Sequence, residues 1–535
     1  MVARKIHPLW LVVTCSLWMT CAGNSALWKR LASLGLMQNV SGLGFVIALF
    51  GLLFASLVGV LAVFAWKRSL KPVLTVLLLV TAFASHFMNS FGVVIDPSMV
   101  TNAVQTDVRE ASALLNMGLV VNVMLLALIP IGLIWRQPIA YESFGRQLWK
   151  NIATVGLSMV AIIALLAISY QSMASTMRNH KDLRYLLNPL AGVYSAARVA
   201  LKPFELDPRV LHPIGEDAKA IASIHASAKP LTLVLVVGET ARSDHFSLNG
   251  YERETNPELK TRDVVSFQNA WSCGTSTAES LPCMFSHLAR EDFNGRKANY
   301  ENLLDLLQKA GMNVLWIGNQ SGCKEVCNRV PVVKVTDTCG NAECFDEAML
   351  DAVQKRLQAM DERQRSKGTV IVLHQMGSHG PAYYKRSPQA FKSFLPECTT
   401  NALKDCSQES VRNAYDNSIR YTDHFLAKSI DWLKANTVNS ALMYVSDHGE
   451  SLGEANVYLH GLPYAFAPDA QKKVPWITWL SPEFERESKL SSECLRRRSG
   501  EQVTHDSYFH AVLGLAGVAA KEYQPALDFY QPCRG

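Results

Sequence analysis

The sequence predicts an N-terminal bundle of five transmembrane helices followed by an α/β domain with a largely parallel central sheet. Five apolar stretches of about 20 residues, the length that spans a bilayer, lie in the first third of the chain. Beyond residue 230, apolar strand runs alternate with helical stretches, which is typical of a parallel sheet covered by helices. We therefore predict a transmembrane domain at 1–174, a connector with short helices at 175–229 and an α/β domain at 230–535.

The average composition hides this division. A hydrophobic content of 49% and a mean hydropathy of +0.07 are high for a wholly soluble protein. The net charge is +6, and the basic residues are scattered, with no motif that binds nucleic acid. Nucleic acid is therefore excluded as a partner, whereas a mildly basic protein at a membrane favours anionic lipid headgroups.

Loop charges predict the orientation of the five spans, which lie near 9–28, 43–66, 71–95, 117–135 and 151–173. A cleaved signal peptide is a poor interpretation of the first, because four more follow. Basic residues mark the cytoplasmic loops. One side carries Arg4, Lys5, Lys67, Arg68, Lys71, Arg136, Arg146 and Lys150, and the other carries Lys29, Arg30 and Arg109. The N-terminus is thus predicted in the cytoplasm, and an odd number of spans places the α/β domain outside it.

The spacing of the cysteines is independent evidence that the α/β domain lies outside the cytoplasm. Of the 12 cysteines, ten lie beyond residue 270. They form four close pairs and leave Cys494 and Cys533 as a long-range pair, which predicts disulfides in an oxidising compartment. Buried thiols or a metal site at 323–327 are the alternatives, but no Cys/His cluster has finger-like spacing. Cys15 and Cys21 are predicted to be free thiols in the membrane. The predicted disulfides are Cys273–Cys283, Cys323–Cys327, Cys339–Cys344, Cys398–Cys406 and Cys494–Cys533.

Four apolar strand runs each end in polar side chains that bind metals or phosphate. The runs lie at 231–237, 313–317, 370–373 and 441–445. Because open α/β sheets place their active sites at the carboxyl ends of their strands, we expect these residues to converge. Singly, Glu239 is equally well a loop carboxylate, and His379 and His460 are typical of surface or supporting histidines. Asp447-His448 after a buried strand favours a metal site, and together these ligand types suit a zinc-like ion.

Thr277 is the candidate nucleophile. It follows Gly274 in a loop of hydroxyl residues between Cys273 and Cys283, just before a helical stretch. A helix N-terminus favours an anion, and a metal-bound hydroxyl can attack phosphorus near neutral pH. An ordinary Ser/Thr-rich helix cap is the alternative if the loop is taken alone.

At these residues the sequence resembles the lipid A phosphoethanolamine transferases, which include the chromosomal EptA type and the mobile colistin-resistance enzymes. The resemblance runs the whole length of the chain. The matching stretches are VGETAR at 237–242, LNGYER at 248–253, SCGTST at 272–277, PCMF at 282–285, HGPAY at 379–383, AYDN at 414–417, SDHGES at 446–451 and YLHG at 458–461.

The resemblance implies a sulfatase/alkaline-phosphatase-like fold and a set of site residues. One zinc ion would be held tightly, with His379 and His460 holding the substrate phosphate or a second zinc and protonating the leaving group. The implied zinc ligands are Glu239, Thr277, Asp447 and His448, with Thr277 as nucleophile. The positions that match phosphoethanolamine contacts are Asn102, Thr106, Glu110, Ser321 and Lys324.

It also implies a two-step transfer at the bacterial inner membrane, with the catalytic domain in the periplasm. Thr277 would take phosphoethanolamine from phosphatidylethanolamine and pass it to lipid A, and the added amine would lower envelope charge and confer polymyxin resistance. A sulfatase-like hydrolase is disfavoured, because no Cys/Ser-x-Pro-x-Arg motif surrounds Thr277. A transferase of phosphoglycerol, or one that acts on a core sugar, is an alternative. A non-enzymatic envelope protein is disfavoured by the complete ligand set.

Overall fold

The computed structural model describes residues 5–106, 108–205, 210–221, 230–320, 322–339 and 344–535. The chain forms two compact units. One comprises Met1–Val100 and Leu115–Ala200, and the other comprises Thr101–Leu114 and Leu201–Gly535. Residues 206–209 and 222–229 of the predicted connector lie outside the described residues. The division at 174 and 229 is kept as a proposal.

The first unit consists of apolar helices. Within the described residues, four continuous helical segments are long and apolar enough to cross a membrane, at Gly42–Val63, Leu70–Phe91, Met117–Arg136 and Phe144–Asn179. They correspond to the second to fifth predicted spans. The helices are α1 (Pro8–Cys21), α2 (Ser25–Ser33), α3 (Val40–Val63), α4 (Leu70–Phe91), α5 (Pro97–Gln105), α6 (Val108–Ala113), α7 (Met117–Val123), α8 (Ile129–Arg136), α9 (Phe144–Asn179) and α10 (Leu190–Glu205).

The first predicted span, 9–28, is broken rather than continuous. Helices α1 and α2 are bent by 43° relative to each other, so the unit has five spans only when this pair counts as one. Asn24 accounts for the break: its side-chain amide donates to the Met19 carbonyl at 2.8 Å and to the Asn188 carbonyl at 2.6 Å. The bond to Met19 satisfies a buried backbone acceptor that the interrupted helix leaves without an intrahelical partner. The bond to Asn188 joins the break to the segment that precedes α10.

The second unit contains an eight-stranded sheet, mostly parallel as predicted. Its strands are β3 (Thr232–Gly238), β4 (Val264–Trp271), β6 (Asn313–Gly318), β7 (Val332–Lys334), β8 (Thr369–His374), β9 (Ser440–Ser446), β12 (Lys473–Leu480) and β13 (Gln502–Thr504). They lie in the order β13-β4-β12-β9-β3-β8-β6-β7. Only β12 of this sheet is antiparallel to its neighbours. Six short strands form separate pairs: β1 (Leu211–His212), β2 (Lys219–Ala220), β5 (Asn299–Tyr300), β10 (Ser451–Leu452), β11 (Tyr458–Leu459) and β14 (Val518–Ala519).

The central strands are buried on both faces, which is why their sequences are continuous apolar runs. Every residue of β8 and β9 is buried. Leu233, Leu235 and Val237 of β3 join one hydrophobic core with the helices that cover that face. The helices of this unit are α11 (Thr277–Met284), α12 (Arg290–Gly295), α13 (Leu303–Lys309), α14 (Ala348–Gln358), α15 (Glu362–Arg365), α16 (Gln408–Asn436), α17 (Pro482–Ser488), α18 (Ser492–Arg497) and α19 (Tyr508–Ala516).

All five predicted disulfides are present. Four close loops with sequence separations of 4 to 10 residues, and Cys494–Cys533 spans 39. Cys15 and Cys21 are free thiols, as predicted. The short disulfides therefore constrain individual loops, whereas Cys494–Cys533 ties the chain end to α18.

Candidate active site

The register of the parallel strands brings the predicted residues to one edge of the sheet. Gly238 at the end of β3 is paired with Ser446 at the end of β9. On the other side, Val237 of β3 is paired with His374 at the end of β8. The chain therefore delivers Glu239 from β3 and Asp447 from β9 side by side, at the carboxyl edge where such sheets bind ligands.

Glu239, Asp447 and His448 form a compact buried cluster. One ligand atom from each lies within 4.8 Å of the others, and the exposed fractions of all three residues are 1% or less. His448 Nδ1 donates to the Gly449 carbonyl at 2.9 Å, which leaves Nε2 as an unprotonated acceptor in the neutral ring. Burial lowers the pKa of His448 to about 4, so the ring is neutral at pH 7.

Thr277 completes the cluster. It is the first residue of α11, and the Cys273–Cys283 disulfide closes the loop before that helix. Its hydroxyl lies 3.1 Å from Glu239 Oε2 and 3.3 Å from His448 Nε2. The hydroxyl thus sits at a helix N-terminus, where backbone N–H groups favour an anion.

Gly274 lets this loop fold back against α11. A Cβ at that position would lie 2.6 Å from the Glu279 Cβ, which is closer than two carbons approach without a shift. The neighbouring Thr275 is also engaged, because its hydroxyl donates to the Leu462 carbonyl at 2.6 Å and its own carbonyl accepts from Gly461 N–H at 2.8 Å. The loop that contains Thr275 and Thr277 and the 460–462 loop therefore hold each other in place.

The cluster fits a cation. Asp447 Oδ2 is buried and accepts no hydrogen bond from the part of the chain that the structure describes. His448 Nε2 lies 3.5 Å from this oxygen and 3.5 Å from Glu239 Oε1. Three acceptors that face each other in a buried site repel one another unless a positive charge lies between them. Carboxylate and neutral imidazole are ligands that zinc-like ions use.

Two further histidines, His460 and His379, lie beside His448 of this cluster. The rings of His448 and His460 are 4.3 Å apart, and those of His460 and His379 are 5.6 Å apart. Burial, and then the neighbouring His460, keep the pKa of His379 well below its ordinary value. His460 Nδ1 donates to Glu450 Oε2 at 2.9 Å, and this bond directs the opposite nitrogen away from the carboxylate.

The predicted lipid-contact residues are only partly described. Asn102 and Thr106 belong to one short segment, in which the Thr106 hydroxyl donates to the Asn102 carbonyl at 2.7 Å. Lys324 is joined to the same segment, because its ammonium donates to the Gln105 carbonyl at 3.0 Å. The side chain of Glu110 and the residue Ser321 lie outside the described residues.

Four side chains that the sequence analysis did not select also build the site. Gln320 donates to Glu239 Oε2 at 2.6 Å. The Tyr383 hydroxyl donates to Glu450 Oε1 at 2.7 Å, and the Tyr415 hydroxyl contacts the turn that follows Glu239. Three of them, Tyr383, Tyr415 and Glu450, lie within the quoted motifs. Gln320 is the second residue after β6, so its position just past a strand was the available signal.

Comparison with known proteins identifies the family. Residues 232–518 match the Sulfatase family, and residues 53–204 match the family described as "Phosphoethanolamine transferase EptA/EptB". The chain is 40% identical over 493 residues to phosphoethanolamine transferase EptA of Escherichia coli K12, which covers 89% of this chain and 87% of that protein. The chain belongs to the EptA/EptB family of phosphoethanolamine transferases.

Two further members of the same group match nearly the whole chain. Phosphatidylethanolamine transferase Mcr-1 of Escherichia coli is 36% identical over 98% of each chain. The structure of the integral membrane phosphoethanolamine transferase EptA of Neisseria meningitidis superposes with a TM-score of 0.94, at 32% identity and with 99% of this chain and 100% of that one covered.

These matches confirm several predictions from the sequence. The α/β unit has the sulfatase fold, and the chain is an enzyme of the phosphoethanolamine transferase class. It is a multi-pass inner-membrane protein whose catalytic domain lies in the periplasm.

Proposed function

We propose that this chain transfers phosphoethanolamine from phosphatidylethanolamine to lipid A through a covalent intermediate on Thr277. The observation that carries the proposal is the Thr277 hydroxyl within 3.3 Å of both Glu239 and His448, at the N-terminus of α11. The relatives support the substrates by name: Mcr-1 is a phosphatidylethanolamine transferase, and a relative 25% identical is a Kdo(2)-lipid A phosphoethanolamine 7''-transferase.

The proposed metal is one zinc ion held by Glu239, Thr277, Asp447 and His448. When bound, zinc supplies positive charge that favours an ionised hydroxyl and offsets charge on the phosphoryl oxygens. Gln320 and the backbone N–H groups of Thr240 and His448 hold the carboxylates in their orientations. A second zinc at His379 and His460 is the alternative to a phosphate-binding role for these two residues.

In the first step, the Thr277 oxygen forms a bond to phosphorus and the bond from phosphorus to the diacylglycerol oxygen breaks. The Thr277 proton passes to the Glu239 carboxylate, the hydrogen-bond acceptor at 3.1 Å. The leaving oxygen takes a proton from a protonated His460, whose Nδ1 is fixed by Glu450. Diacylglycerol is released, and phosphoethanolamine remains on the threonine.

In the second step, His460 accepts the proton of the lipid A group that attacks phosphorus, and the bond to Thr277 breaks. Glu239 returns its proton to the Thr277 oxygen, which restores the starting state. His379 and Lys324 would hold the charged phosphoryl group during both steps. The product carries an amine that offsets one phosphate charge of lipid A, so expression of the chain is expected to confer polymyxin resistance.

The decisive experiment is to map the covalent adduct. Purified full-length protein incubated with phosphatidylethanolamine alone should gain one phosphoethanolamine, and peptide mapping should place it on Thr277. Thr277→Ala should carry no adduct and should abolish both diacylglycerol release and lipid A modification. Ser276→Ala is the matched control, because Ser276 is adjacent and its hydroxyl has no hydrogen-bond partner among the described residues. An adduct elsewhere refutes Thr277 as the nucleophile.

The zinc assignment has its own test. A chelator should remove the zinc, lower the melting temperature of the full-length protein and stop adduct formation, and added zinc should restore all three. Asp447→Asn should lower the measured zinc content, because it replaces a charged ligand with a neutral one while still offering an oxygen to the Thr240 and His448 N–H groups. Full zinc content in Asp447→Asn is the result that rules this ligand set out.

A further inference from the structure

A polar pocket in the second unit contains side chains that the proposed mechanism does not use, apart from Lys324. It lies between α11, the segment that connects α12 to α13 and the loop closed by Cys323–Cys327. The residues on which the inference depends are Pro282, Phe293, Arg296, Tyr300, Lys324 and Glu325.

The pocket borders the helix that carries the nucleophile. Helix α11 begins at Thr277, and Pro282 of the same helix lines the pocket. With a rise of 1.5 Å per residue, five residues separate the two by about 7–8 Å along the helix. A ligand that reacts at Thr277 would therefore have to span at least about 7–8 Å to place a second group in this pocket.

Arg296 is a half-buried cation with spare donors. Its guanidinium donates to the Phe293 carbonyl at 2.6 Å and lies 3.8 Å from the centre of the Phe293 ring. Within the described part of the chain it has no carboxylate within ion-pair distance, and burial lowers its pKa, partly opposed by Glu325. A guanidinium offers five N–H donors in a planar fork that matches a phosphate. Arg296 therefore has the chemistry of a phosphate site.

The charged side chains that line the pocket differ in whether they already form an ion pair. Arg329 is paired with Asp305 at 2.6 Å, and Glu301 is paired with Lys309 at 2.5 Å. Lys324, in contrast, donates to a backbone carbonyl and, in the described ranges, to no carboxylate. The charges that remain available are therefore those of Arg296, Lys324 and Glu325.

Lys324 and Glu325 are held in place by an unusual backbone. Their φ angles are 47° and 71°, both in the left-handed region, which is strained for residues other than glycine. The Cys323–Cys327 disulfide closes this turn over four residues. Such strain is found where a fold fixes side chains for binding, so the turn presents one cation and one carboxylate to the pocket.

The remaining walls suit a sugar. Tyr300 is 37% exposed, and Phe293, whose ring is in contact with the Arg296 guanidinium, also lines the pocket. Aromatic faces pack on the C–H faces of sugars, and a carboxylate such as Glu325 accepts hydroxyl hydrogen bonds. A cation, an available carboxylate and aromatic faces together are complementary to a phosphorylated sugar rather than to a simple inorganic anion.

We propose that this pocket binds the second phosphorylated sugar of the acceptor, while the first phosphate reacts at Thr277. Arg296 holds the second phosphate, Tyr300 packs on its sugar, and Glu325 accepts a sugar hydroxyl. The proposal rests on the function proposed above, since it assigns to the pocket a role in recognising lipid A. It predicts that an acceptor with phosphates on both sugars is preferred over one that has lost the distal phosphate.

The test separates the two half-reactions in the full-length protein. Arg296→Gln should raise the KM for a bisphosphorylated lipid A about tenfold, the effect of losing one charge-assisted contact of about 1.4 kcal/mol. Its KM for a lipid A with a single phosphate should match that of the wild type. Release of diacylglycerol from phosphatidylethanolamine alone should be unchanged, which also shows that the variant is folded. Arg296→Lys, which keeps the charge but not the fork, should recover part of the loss.

Lys297→Gln is the matched control. It removes the same charge from the next residue, whose side chain is exposed and does not line the pocket. The proposal is overturned by an unchanged KM in Arg296→Gln, by an equal loss with both acceptors, or by an equal loss in Lys297→Gln. A raised KM for phosphatidylethanolamine assigns the pocket to the lipid donor and also overturns it. If the wild type modifies neither acceptor, the proposed function itself has failed.

Discussion

The hydroxyl of Tyr415 donates a hydrogen bond to the carbonyl oxygen of Thr240 at 2.7 Å. The same hydroxyl accepts the N–H of Arg242 at 3.0 Å, so one buried side chain of α16 closes the turn that follows Glu239. Thr240 has a φ of 51°, an outlier for a β-branched residue. Tyr415 is thus one of the contacts that keep a strained turn, and with it Glu239, in position.

Tyr415→Phe should therefore weaken the site without disrupting the core. The ring is kept, but two hydrogen bonds are lost, at a cost of roughly 1–3 kcal/mol. We expect lower zinc affinity and a lower kcat, with little change in the KM for phosphatidylethanolamine. Tyr421→Phe is the control on the same helix, because among the residues that the structure describes its hydroxyl only accepts a long 3.4 Å bond from Glu347 N–H. Equal losses in both variants would show that Tyr415 acts through general stability alone.

Gly377 allows the chain after β8 to approach Glu239. A Cβ there would lie 2.8 Å from the Glu239 carbonyl oxygen, and the φ of Gly377 is 50°. Gly377→Ala should displace Glu239 and lower both zinc content and transfer at least tenfold. Gly311→Ala is the control for backbone strain alone, because Gly311 also has a positive φ, of 89°, with nothing within 4 Å of its Cβ position. Normal zinc content in Gly377→Ala contradicts the prediction.

The long and the short disulfides should have different effects. In the chain-entropy account, the 39-residue separation of Cys494–Cys533 corresponds to about 4 kcal/mol, and the 4-residue separation of Cys323–Cys327 to about 2 kcal/mol. Replacing both cysteines of the long bridge with serine should lower the melting temperature more. Replacing those of the short bridge should cost more transfer activity, because Lys324 lies inside that loop. Thermal melting and transfer assays of the two double variants measure this directly, and the opposite ranking refutes it.

Asp423 should make the protein less stable as the pH rises. Its two oxygens accept the N–H groups of Glu258 and Leu259 at 2.8 and 3.1 Å, and burial raises its pKa to about 7. Nearby Glu258 raises the pKa further and Arg262 lowers it. A folded pKa above the unfolded value gives stability that is complete below pH 4 and is lost as the pH rises towards 7. Asp423→Asn should flatten this decline in melting temperature between pH 4 and 7.

Asp431→Asn is the control, because Asp431 lies on the same helix, α16, but its pKa is shifted in the opposite direction to that of Asp423. A hydrogen bond from Arg262 lowers the pKa of Asp431, so its contribution is present above its unfolded pKa and is lost as the pH falls. Removing it should leave the decline between pH 4 and 7 in place. A flat profile in both variants, or in neither, contradicts the assignment to Asp423.

The sequence predicted the central strands to within about one residue because their burial on both faces leaves long apolar runs. It did not predict β4 or β12. Polar residues such as Gln268 and Asn269 interrupt β4, and Pro475 lies within β12, where the register shifts between Val474 and Trp476. Proline is tolerated at such an irregularity, but in the sequence it argues against a strand.

The residues of the site, like the strands, were predictable from the sequence only in part. Glu239, Asp447 and His448 were predictable because they follow strands, and a strand end has a fixed place in a parallel sheet. Tyr415 follows no strand, and its contact with Thr240 spans 175 positions of the chain. A contact of that kind depends on how a helix packs, which residue type and local pattern do not specify. The bend at Asn24 was missed for a similar reason, because its partner is the distant carbonyl of Asn188.

The segment Thr101–Leu114 belongs to the second unit although apolar helices flank it in the sequence. A soluble fragment that begins after residue 200 would lack the Gln105 carbonyl that holds the Lys324 ammonium, and the Ala113 carbonyl that accepts from Asn401 at 2.8 Å. In such a fragment we expect water to replace this carbonyl, so a screening compound could gain affinity by binding the Lys324 ammonium in a direction that it does not take in the intact protein. In the intact enzyme the Gln105 carbonyl takes one donor of this ammonium and fixes its direction, which leaves its other donors for a phosphoryl group. Inhibitor discovery against this chain should therefore begin with the full-length protein.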